Sequence, residues 1–156
     1  FTVTIPCKIA SKEESTAKRD KGTHDKASLV GARILVVEDN DINAEIATEL
    51  LEEEGCIIER ACNGVECFDM LEKADDLYYA MILMDIQMPN MDGYQATKLI
   101  RQFADKEKAD IPIIAMTANA FEEDKRNAIA AGMNGHMAKP IHVDKLLMTL
   151  AEMIEQ

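Results

Sequence analysis

The chain has 156 residues, 47% of them hydrophobic and 29% charged, which indicates a soluble globular protein of one domain plus additional sequence. Its formal net charge of -12 is uneven, because residues 33–156 hold 11 basic and 25 acidic side chains, whereas residues 1–32 hold 6 and 4. An acidic body argues against nucleic-acid binding, which needs clustered cations, and suits a site that holds a metal cation.

The four cysteines form no CxxC pair, and no histidine lies at a spacing typical of zinc ligands. A disulfide framework is not expected in a chain of this size and core content, so we interpret the cysteines as reduced thiols of a cytoplasmic protein. There is no apolar run of 18 residues and no signal peptide, which leaves open whether a longer parent chain is anchored in a membrane.

The first 32 residues fall into two parts. Residues 1–6 alternate apolar and polar side chains up to Pro6, a pattern typical of an edge strand, and we assign residues 1–10 to the end of another domain. Residues 11–32 are mostly charged or small and polar, which predicts a flexible linker. The alternative is a disordered N-terminal extension, which this stretch alone favours.

From residue 33 onwards, short apolar runs alternate with amphipathic segments. The apolar runs predict five strands: Arg33–Glu38, Cys56–Cys62, Met81–Asp85, Ile111–Met116 and Asn134–Ala138. The segments between and after them predict five helices, which begin near Asp41, Asn63-Gly64, Gly93, Ala120 and Val143. Residues 105–110 are predicted to be a charged loop. Strands that alternate with helices indicate a parallel sheet with helices on both faces.

The first helix is predicted to carry one apolar stripe. The stripe comprises Ile42, Ile46, Ala47, Leu50 and Leu51, and Gly55 ends the helix.

The carboxyl ends of the predicted strands carry the polar residues that point to chemistry. Because these ends meet at one edge of a parallel sheet, they bring together Glu38, Asp39, Asp85, Thr117 and Lys139. Neighbouring carboxylates repel one another unless a cation lies among them, and oxygen ligands of this kind suit Mg²⁺. A carboxylate nucleophile, a divalent metal, a lysine and a hydroxyl are the groups that phosphoryl transfer needs.

Residues 33–154, about four fifths of the chain, resemble a receiver domain of two-component response regulators. Four motifs in family order carry the resemblance: Glu38-Asp39, Asp85 in Met-Asp-Ile-Gln-Met-Pro, Thr117 in Met-Thr-Ala, and Lys139-Pro140. The resemblance implies an α/β fold over residues 33–156, a doubly wound (βα)5 domain with a five-stranded parallel sheet in the flavodoxin-like order 2-1-3-4-5.

The resemblance also implies a role for each matching residue. Asp85 would accept a phosphoryl group from a phosphohistidine and form an acyl phosphate. Mg²⁺ would be held by Asp39, Asp85 and the backbone carbonyl of Gln87, with Glu38 acting through water. Lys139 would pair with the phosphoryl oxygens.

Four further residues match positions of the family's conformational switch or its surroundings. Thr117 would turn towards the phosphate, and His136 stands where the family usually has Tyr or Phe, so it is either a switch residue or a partly buried strand residue. Asn119 matches a position that modulates dephosphorylation, and Pro140 matches a cis-proline.

The segments Glu38–Asn43 and Ile113–Ala120 are most similar to receivers fused to hybrid sensor histidine kinases. In that context residues 1–10 resemble the end of the kinase's ATP-binding domain. The implied partners are the kinase's dimerisation and phosphohistidine domain, a histidine phosphotransfer protein, or both. They would contact the first helix, where Ala44, Ile46 and Ala47 supply apolar surface. The receiver would catalyse its own phosphorylation and dephosphorylation, and the parent chain would be a histidine kinase.

Four alternatives were weighed. A stand-alone response regulator and a pseudo-receiver without phosphoryl chemistry share the fold. An aspartyl-phosphate phosphatase of the haloacid dehalogenase type needs a second acid two residues after the nucleophile, where this chain has Gln87. A flavodoxin-like cofactor binder needs a phosphate loop after the first strand, where this chain has acids instead.

Overall fold

The computed structural model describes residues 29–119 and 121–154. Its five parallel strands form one sheet in the order β2-β1-β3-β4-β5. They are β1 (Arg33–Val37), β2 (Ile57–Ala61), β3 (Met81–Asp85), β4 (Ile113–Thr117) and β5 (Gly135–Ala138). The helices in the described residues are α1 (Asp41–Glu53), α2 (Gly64–Lys73), α3 (Gly93–Ile100), α4 (Lys106–Ala109), α5 (Glu122–Ala131) and α6 (Val143–Ile154). The predicted α/β fold and its strand order are confirmed.

Each face of the sheet packs against its own group of helices. Leu35 and Val37 of β1 point into a core shared with α2, α3 and α5. Ile34 and Val36 point into a second core on the other face, shared with α1 and α6. Because β1 is buried on both faces, its sequence is a continuous apolar run instead of an alternating one.

The strand register brings the carboxyl ends together at one edge. Val37 pairs with Met84, Asp85 pairs with Met116, and Thr117 pairs with Ala138. The residues that follow β1 and β5 therefore lie at the same edge as the last residues of β3 and β4.

Helix α1 buries only part of the predicted apolar stripe. Ala44, Ala47 and Leu51 are buried, whereas Ile42 is 68% exposed and Ile46 44% exposed. The small side chains of Ala44 and Ala47 face the sheet, and the two isoleucines lie at the surface. Ala47 and Leu51 of the predicted stripe are therefore buried, whereas Ile42 and Ile46 are not. The expectation that Ala44 and Ala47 supply partner surface is wrong, and Ile46 is the exposed member of that group.

Two further elements differ from the prediction. The charged loop of residues 105–110 contains the single-turn helix α4, capped by Asp105, which accepts a 2.9 Å hydrogen bond from the backbone N–H of Glu107. Helix α5 begins at Glu122 after Phe121, and Ala120 lies outside the described residues.

The folded unit already includes Leu29, which is buried and whose carbonyl accepts a hydrogen bond from the Cys56 thiol. The predicted boundary between linker and domain lies four residues later. Residues 1–28, which hold the predicted strand and most of the predicted linker, lie outside the described residues. Within the described part, no helix has both the length and the apolar character that crossing a membrane requires.

Candidate functional site

An acidic group lies at the carboxyl edge of the sheet. Glu38, Asp39 and Asp85 each place one carboxylate oxygen within 4.8 Å of the others. Glu38 is 2% exposed and Asp85 3% exposed, whereas Asp39 is exposed. The acids that the sequence assigned to one edge are therefore neighbours, and two of them are buried.

Local hydrogen bonds hold the two buried acids. The backbone N–H of Glu38 donates to the Ala61 carbonyl at 3.0 Å, which extends the pairing of β1 and β2 by one residue. The carboxylate of Glu38 accepts a 3.2 Å hydrogen bond from the N–H of Asn40. Asp85, the last residue of β3, accepts one at 3.2 Å from the N–H of Gln87. Strand ends and the turns that follow them thus fix both carboxylates.

Lys139 contributes a positive charge from the end of β5. Its Nζ atom lies 2.6 Å from Oε2 of Glu38 and 3.1 Å from Oδ1 of Asp85. The peptide bond that links it to Pro140 is cis. Buried carboxylates are tolerated when they are paired, so Lys139 stabilises the site in the absence of any other cation.

The burial of this group shifts its proton affinities. Burial raises the pKa of Asp85 to about 6, and the charge of Glu38 adds to the shift while Lys139 opposes it. Burial tends to lower the pKa of Lys139, but its hydrogen bonds to Glu38 and Asp85 outweigh this and raise it. For Asp85, the attraction of Lys139 is therefore weaker than the combined effect of burial and the charge of Glu38. Lys139 itself stays protonated.

The donor set fits a magnesium ion. With all groups ionised, three carboxylates and one ammonium leave a local charge that one divalent cation neutralises. Hard carboxylate oxygens beside an open, exposed position suit an ion that keeps several of its waters.

Thr117 lies at the end of β4 with its hydroxyl engaged locally. Oγ1 donates a 2.8 Å hydrogen bond to the Asn119 carbonyl and accepts one at 3.2 Å from the Asn119 N–H. His136 is half-buried on β5 opposite Ala115, three residues before Lys139 and so roughly 10 Å from it along the strand. The structure places Thr117 beside the acidic group and His136 on an outer strand away from it.

A small recess opens beside the acidic group, between α1 and the segment after β5. Its volume is about 40 Å³. It is lined by Glu38, Asn43, Ile46, Ala47, Met116, Lys139, Pro140 and Ile141. Exposed Ile46 belongs to this lining, so the recess links the acidic site to the apolar surface of α1.

The sequence prediction missed Arg60, near the end of β2. Its guanidinium donates to the backbone carbonyls of Glu38 and Asp39 and lies 2.8 Å from a carboxylate oxygen of Asp41. One signal was available: a charged residue in the strand beside β1, directly before buried Ala61.

Comparison with known proteins is consistent with this geometry. Residues 34–151 match the family model described as the response regulator receiver domain. The receiver domain of a sensor histidine kinase from Pseudomonas aeruginosa PAO1, whose structure has a magnesium ion coordinated in the active site cleft, is 36% identical. It superposes with a TM-score of 0.69, and the match covers 81% of this chain and all of that one.

Longer histidine kinases also contain a similar segment. The osmosensing histidine protein kinase SLN1 of Saccharomyces cerevisiae is 40% identical over 149 residues, which is 92% of this chain and 12% of that protein. Probable histidine kinase 1 of Oryza sativa subsp. indica is 34% identical over 90% of this chain and 17% of that protein. The chain thus spans less than one fifth of the length of these relatives.

Proposed function

The chain belongs to the response regulator receiver domain family, and on that premise we propose that Asp85 accepts a phosphoryl group from a phosphohistidine in a Mg²⁺-dependent reaction. The observation that carries the proposal is the position of Asp85. It ends β3, is 3% exposed, and shares its surroundings with two further acids and with Lys139. A buried carboxylate with a raised pKa in such a cluster is typical of a functional group.

The chemistry follows from this placement. A carboxylate oxygen of Asp85 attacks phosphorus, an O–P bond forms, the N–P bond of the phosphohistidine breaks, and the imidazole leaves. The metal would be held by Asp39, Asp85 and the carbonyl of Gln87, with Glu38 acting through water. When bound, Mg²⁺ neutralises charge that develops on the phosphoryl oxygens.

Lys139 and Thr117 respond to the new group in this proposal. Lys139 exchanges its ion pair with Asp85 for one with the phosphoryl oxygens, since the acyl phosphate removes the carboxylate it now contacts. Thr117 gives up its hydrogen bonds to the Asn119 backbone and donates to the phosphate. His136 and Asn119 remain candidates for transmitting the change and for modulating its lifetime.

We assign the partner surface to the first turns of α1 and the recess beside it. Ile42 and Ile46 are exposed on the helix that lines the recess, next to a site that a phosphohistidine must reach. The partner is the phosphohistidine domain of a histidine kinase or a histidine phosphotransfer protein. Because the kinase that phosphorylates the donor histidine uses ATP, we propose a cytoplasmic location for the receiver.

A hybrid histidine kinase is the parent chain that fits best. The match to SLN1 includes 92% of this chain, more than the 124 residues of 33–156 supply, so the similarity extends into the N-terminal segment. We therefore propose that residues 1–10 end a kinase ATP-binding domain, that residues 11–28 form the linker, and that the receiver follows.

The test is a titration of the protein with Mg²⁺ and beryllofluoride, a phosphoryl analogue, followed by amide NMR. When beryllofluoride is added to the Mg²⁺-containing sample, we expect shifts at Asp85, Thr117 and Lys139 in the wild type and none in Asp85→Asn. Asp69→Asn, the same change at an exposed position of α2, serves as control and should behave like the wild type. Absence of shifts in the wild type would overturn the proposal and favour a pseudo-receiver.

A further inference from the structure

Arg60 contacts every residue of the sequence Glu38-Asp39-Asn40-Asp41 except Asn40. Nε and Nη2 donate to the Glu38 carbonyl at 3.1 and 3.0 Å, and Nη2 also donates to the Asp39 carbonyl at 3.4 Å. Nη1 lies 2.8 Å from Oδ1 of Asp41. One planar guanidinium therefore connects the loop after β1 to the first turn of α1.

These contacts fix the orientation of the acidic loop. The loop between β1 and α1 consists of residues 38–40 only, and a donor that holds its peptide carbonyls restricts the backbone from which the two acidic side chains project. Glu38 has a second anchor, because its N–H pairs with Ala61. Asp39 is exposed and depends more on the carbonyl contacts.

Arg60 also keeps a fourth carboxylate apart. Asp41 is two residues from Asp39, yet its side chain is 89% exposed and pairs with Arg60, outside the group formed by Glu38, Asp39 and Asp85. The donors of Arg60 are thus divided between two backbone carbonyls that shape the site and one acid that is excluded from it.

We propose that Arg60 is a positioning residue for the metal site, whose fork holds the loop so that Glu38 and Asp39 present their carboxylates to a divalent cation. This inference rests on the proposed function, because it assumes that the acidic group binds Mg²⁺. The structure places the guanidinium behind the loop, on its carbonyls, so that it orders ligands without being one.

The charge of Arg60 and its contacts with the loop predict opposite effects on the affinity for Mg²⁺. A positive charge close to the site repels a divalent cation, so removing it should tighten Mg²⁺ binding if charge alone matters. Loss of the carbonyl contacts loosens the ligands and should weaken binding, typically by about 10-fold or more. The sign of the change in Kd therefore separates the two roles.

The experiment measures the Kd for Mg²⁺ by NMR titration of the folded protein in the wild type, Arg60→Gln and Arg60→Lys. We expect a Kd about 10-fold higher in both variants, since lysine keeps the charge but cannot form the fork. Arg33→Gln is the matched control: Arg33 begins β1 at the opposite end, and the change in net charge is the same as in Arg60→Gln. Its Kd should stay within about two-fold of the wild type, as expected for a screened distant charge.

The outcomes are distinct. A Kd in Arg60→Gln equal to or below that of the wild type would refute the positioning role, even if urea unfolding shows a loss of stability. Wild-type affinity in Arg60→Lys would refute the requirement for the fork, and this variant decides the matter if Arg60→Gln does not fold. A wild-type protein that binds no Mg²⁺ would instead overturn the proposed function together with this inference.

Discussion

At the scale of single residues, Lys139 stabilises the two buried acids of the site when no metal is bound. Its ammonium contacts Glu38 and Asp85 at hydrogen-bonding distance, and both carboxylates are almost fully buried. A buried charge that loses its partner is costly, whereas a second cation can replace that partner. Lys139 and a bound Mg²⁺ ion should therefore stabilise the folded protein in partly the same way, although their proposed roles in phosphoryl transfer differ.

Replacement of Lys139 by alanine tests this relation. Without Mg²⁺ the free energy of unfolding should fall by about 1–3 kcal/mol, because two buried carboxylates lose a charged donor. Mg²⁺ should still bind and restore part of the loss, so its stabilising effect in urea unfolding should exceed that in the wild type. Lys145→Ala, at an exposed position of α6, is the control. Beryllofluoride should no longer shift the Thr117 amide in Lys139→Ala, and an unchanged Thr117 response would contradict the role given to Lys139.

The pKa of Glu59 also depends on the side chains around it. Tyr79 donates a 2.5 Å hydrogen bond to its carboxylate, Tyr78 donates another at 2.8 Å, and Arg33 lies 3.7 Å away. The hydrogen bond from Tyr79, the one from Tyr78 and the charge of Arg33 together lower the pKa of Glu59, against a smaller opposing effect of burial.

The sign of the pH dependence follows from that shift. Because the pKa of Glu59 is lower in the folded than in the unfolded protein, its stabilisation is present above about pH 4.3 and is lost as the pH falls through the folded value. The difference in unfolding free energy between the wild type and Glu59→Gln should be constant from pH 6 to 8 and shrink below pH 4.3. Glu45→Gln, the same change at an exposed position of α1, is the control, and a trend of equal size there would remove Glu59 as the cause.

At the scale of elements, the strands follow from the sequence more directly than the helix faces do. The apolar runs that end at Asp85 and near Glu38 predict strands buried on both faces, and this placed the acids at one edge. Helix α1 carries more apolar side chains than it buries, and the sequence pattern alone does not show which of them face the sheet. Because most of residues 105–110 are charged, their pattern did not predict the helical turn α4. The charge of Arg60 within a strand was a weak signal, because its main contacts go to backbone carbonyls, which residue types do not reveal.

Arg101 illustrates an element-scale contact at the other end of the sheet. It follows α3, and its guanidinium donates to the carbonyls of Gly132, Ala109 and Ile111 at 2.8, 2.5 and 2.8 Å. Another donor reaches Oδ1 of Asn134 at 2.7 Å. One side chain thus connects α3, α4 and the turn before β5.

We expect Arg101→Met to lower the free energy of unfolding by about 2–3 kcal/mol, because several carbonyls lose a charged donor. The affinity of the folded protein for Mg²⁺ should not change, since these contacts lie at the end of the sheet opposite the acidic group. Urea unfolding and the NMR titration measure the two effects separately. A change in Kd for Mg²⁺ comparable to that of Arg60→Gln would show that the two ends are coupled.

The exposed stripe of α1 makes a prediction about the partner. Ile46→Gln should leave stability within about 0.5 kcal/mol of the wild type, because Ile46 is already 44% exposed. Transfer from phosphorylated histidine phosphotransfer proteins should slow by about 10-fold, which corresponds to about 1.4 kcal/mol of lost contact. Phosphorylation by acetyl phosphate, which needs no protein surface, should be unaffected. Ile129→Gln on α5 is the control, and an equal effect there would place the partner elsewhere.

At the scale of the whole molecule, the clustered acids of the site oppose the stability of the fold. Residues 33–156 carry far more acidic than basic side chains, and the carboxyl edge concentrates part of that excess in buried positions. Such clustering destabilises a folded chain unless cations compensate, and it persists here beside a core that fills both faces of the sheet. The packing of the two cores therefore has to compensate for the repulsion between the clustered acids.

Asp85→Asn should therefore stabilise the molecule while it abolishes phosphorylation. Without Mg²⁺, the neutral amide relieves the repulsion from Glu38 and Asp39, and the free energy of unfolding should rise by about 1 kcal/mol. Mg²⁺ at about ten times its Kd should stabilise the wild type by about 1.4 kcal/mol and the variant by much less. Unfolding in urea with and without Mg²⁺ measures both numbers in one series, with Asp69→Asn as the control. If the variant is less stable than the wild type without Mg²⁺, Asp85 contributes more through its contacts with Lys139 and the Gln87 backbone than it costs by repulsion, and the site would not oppose the fold.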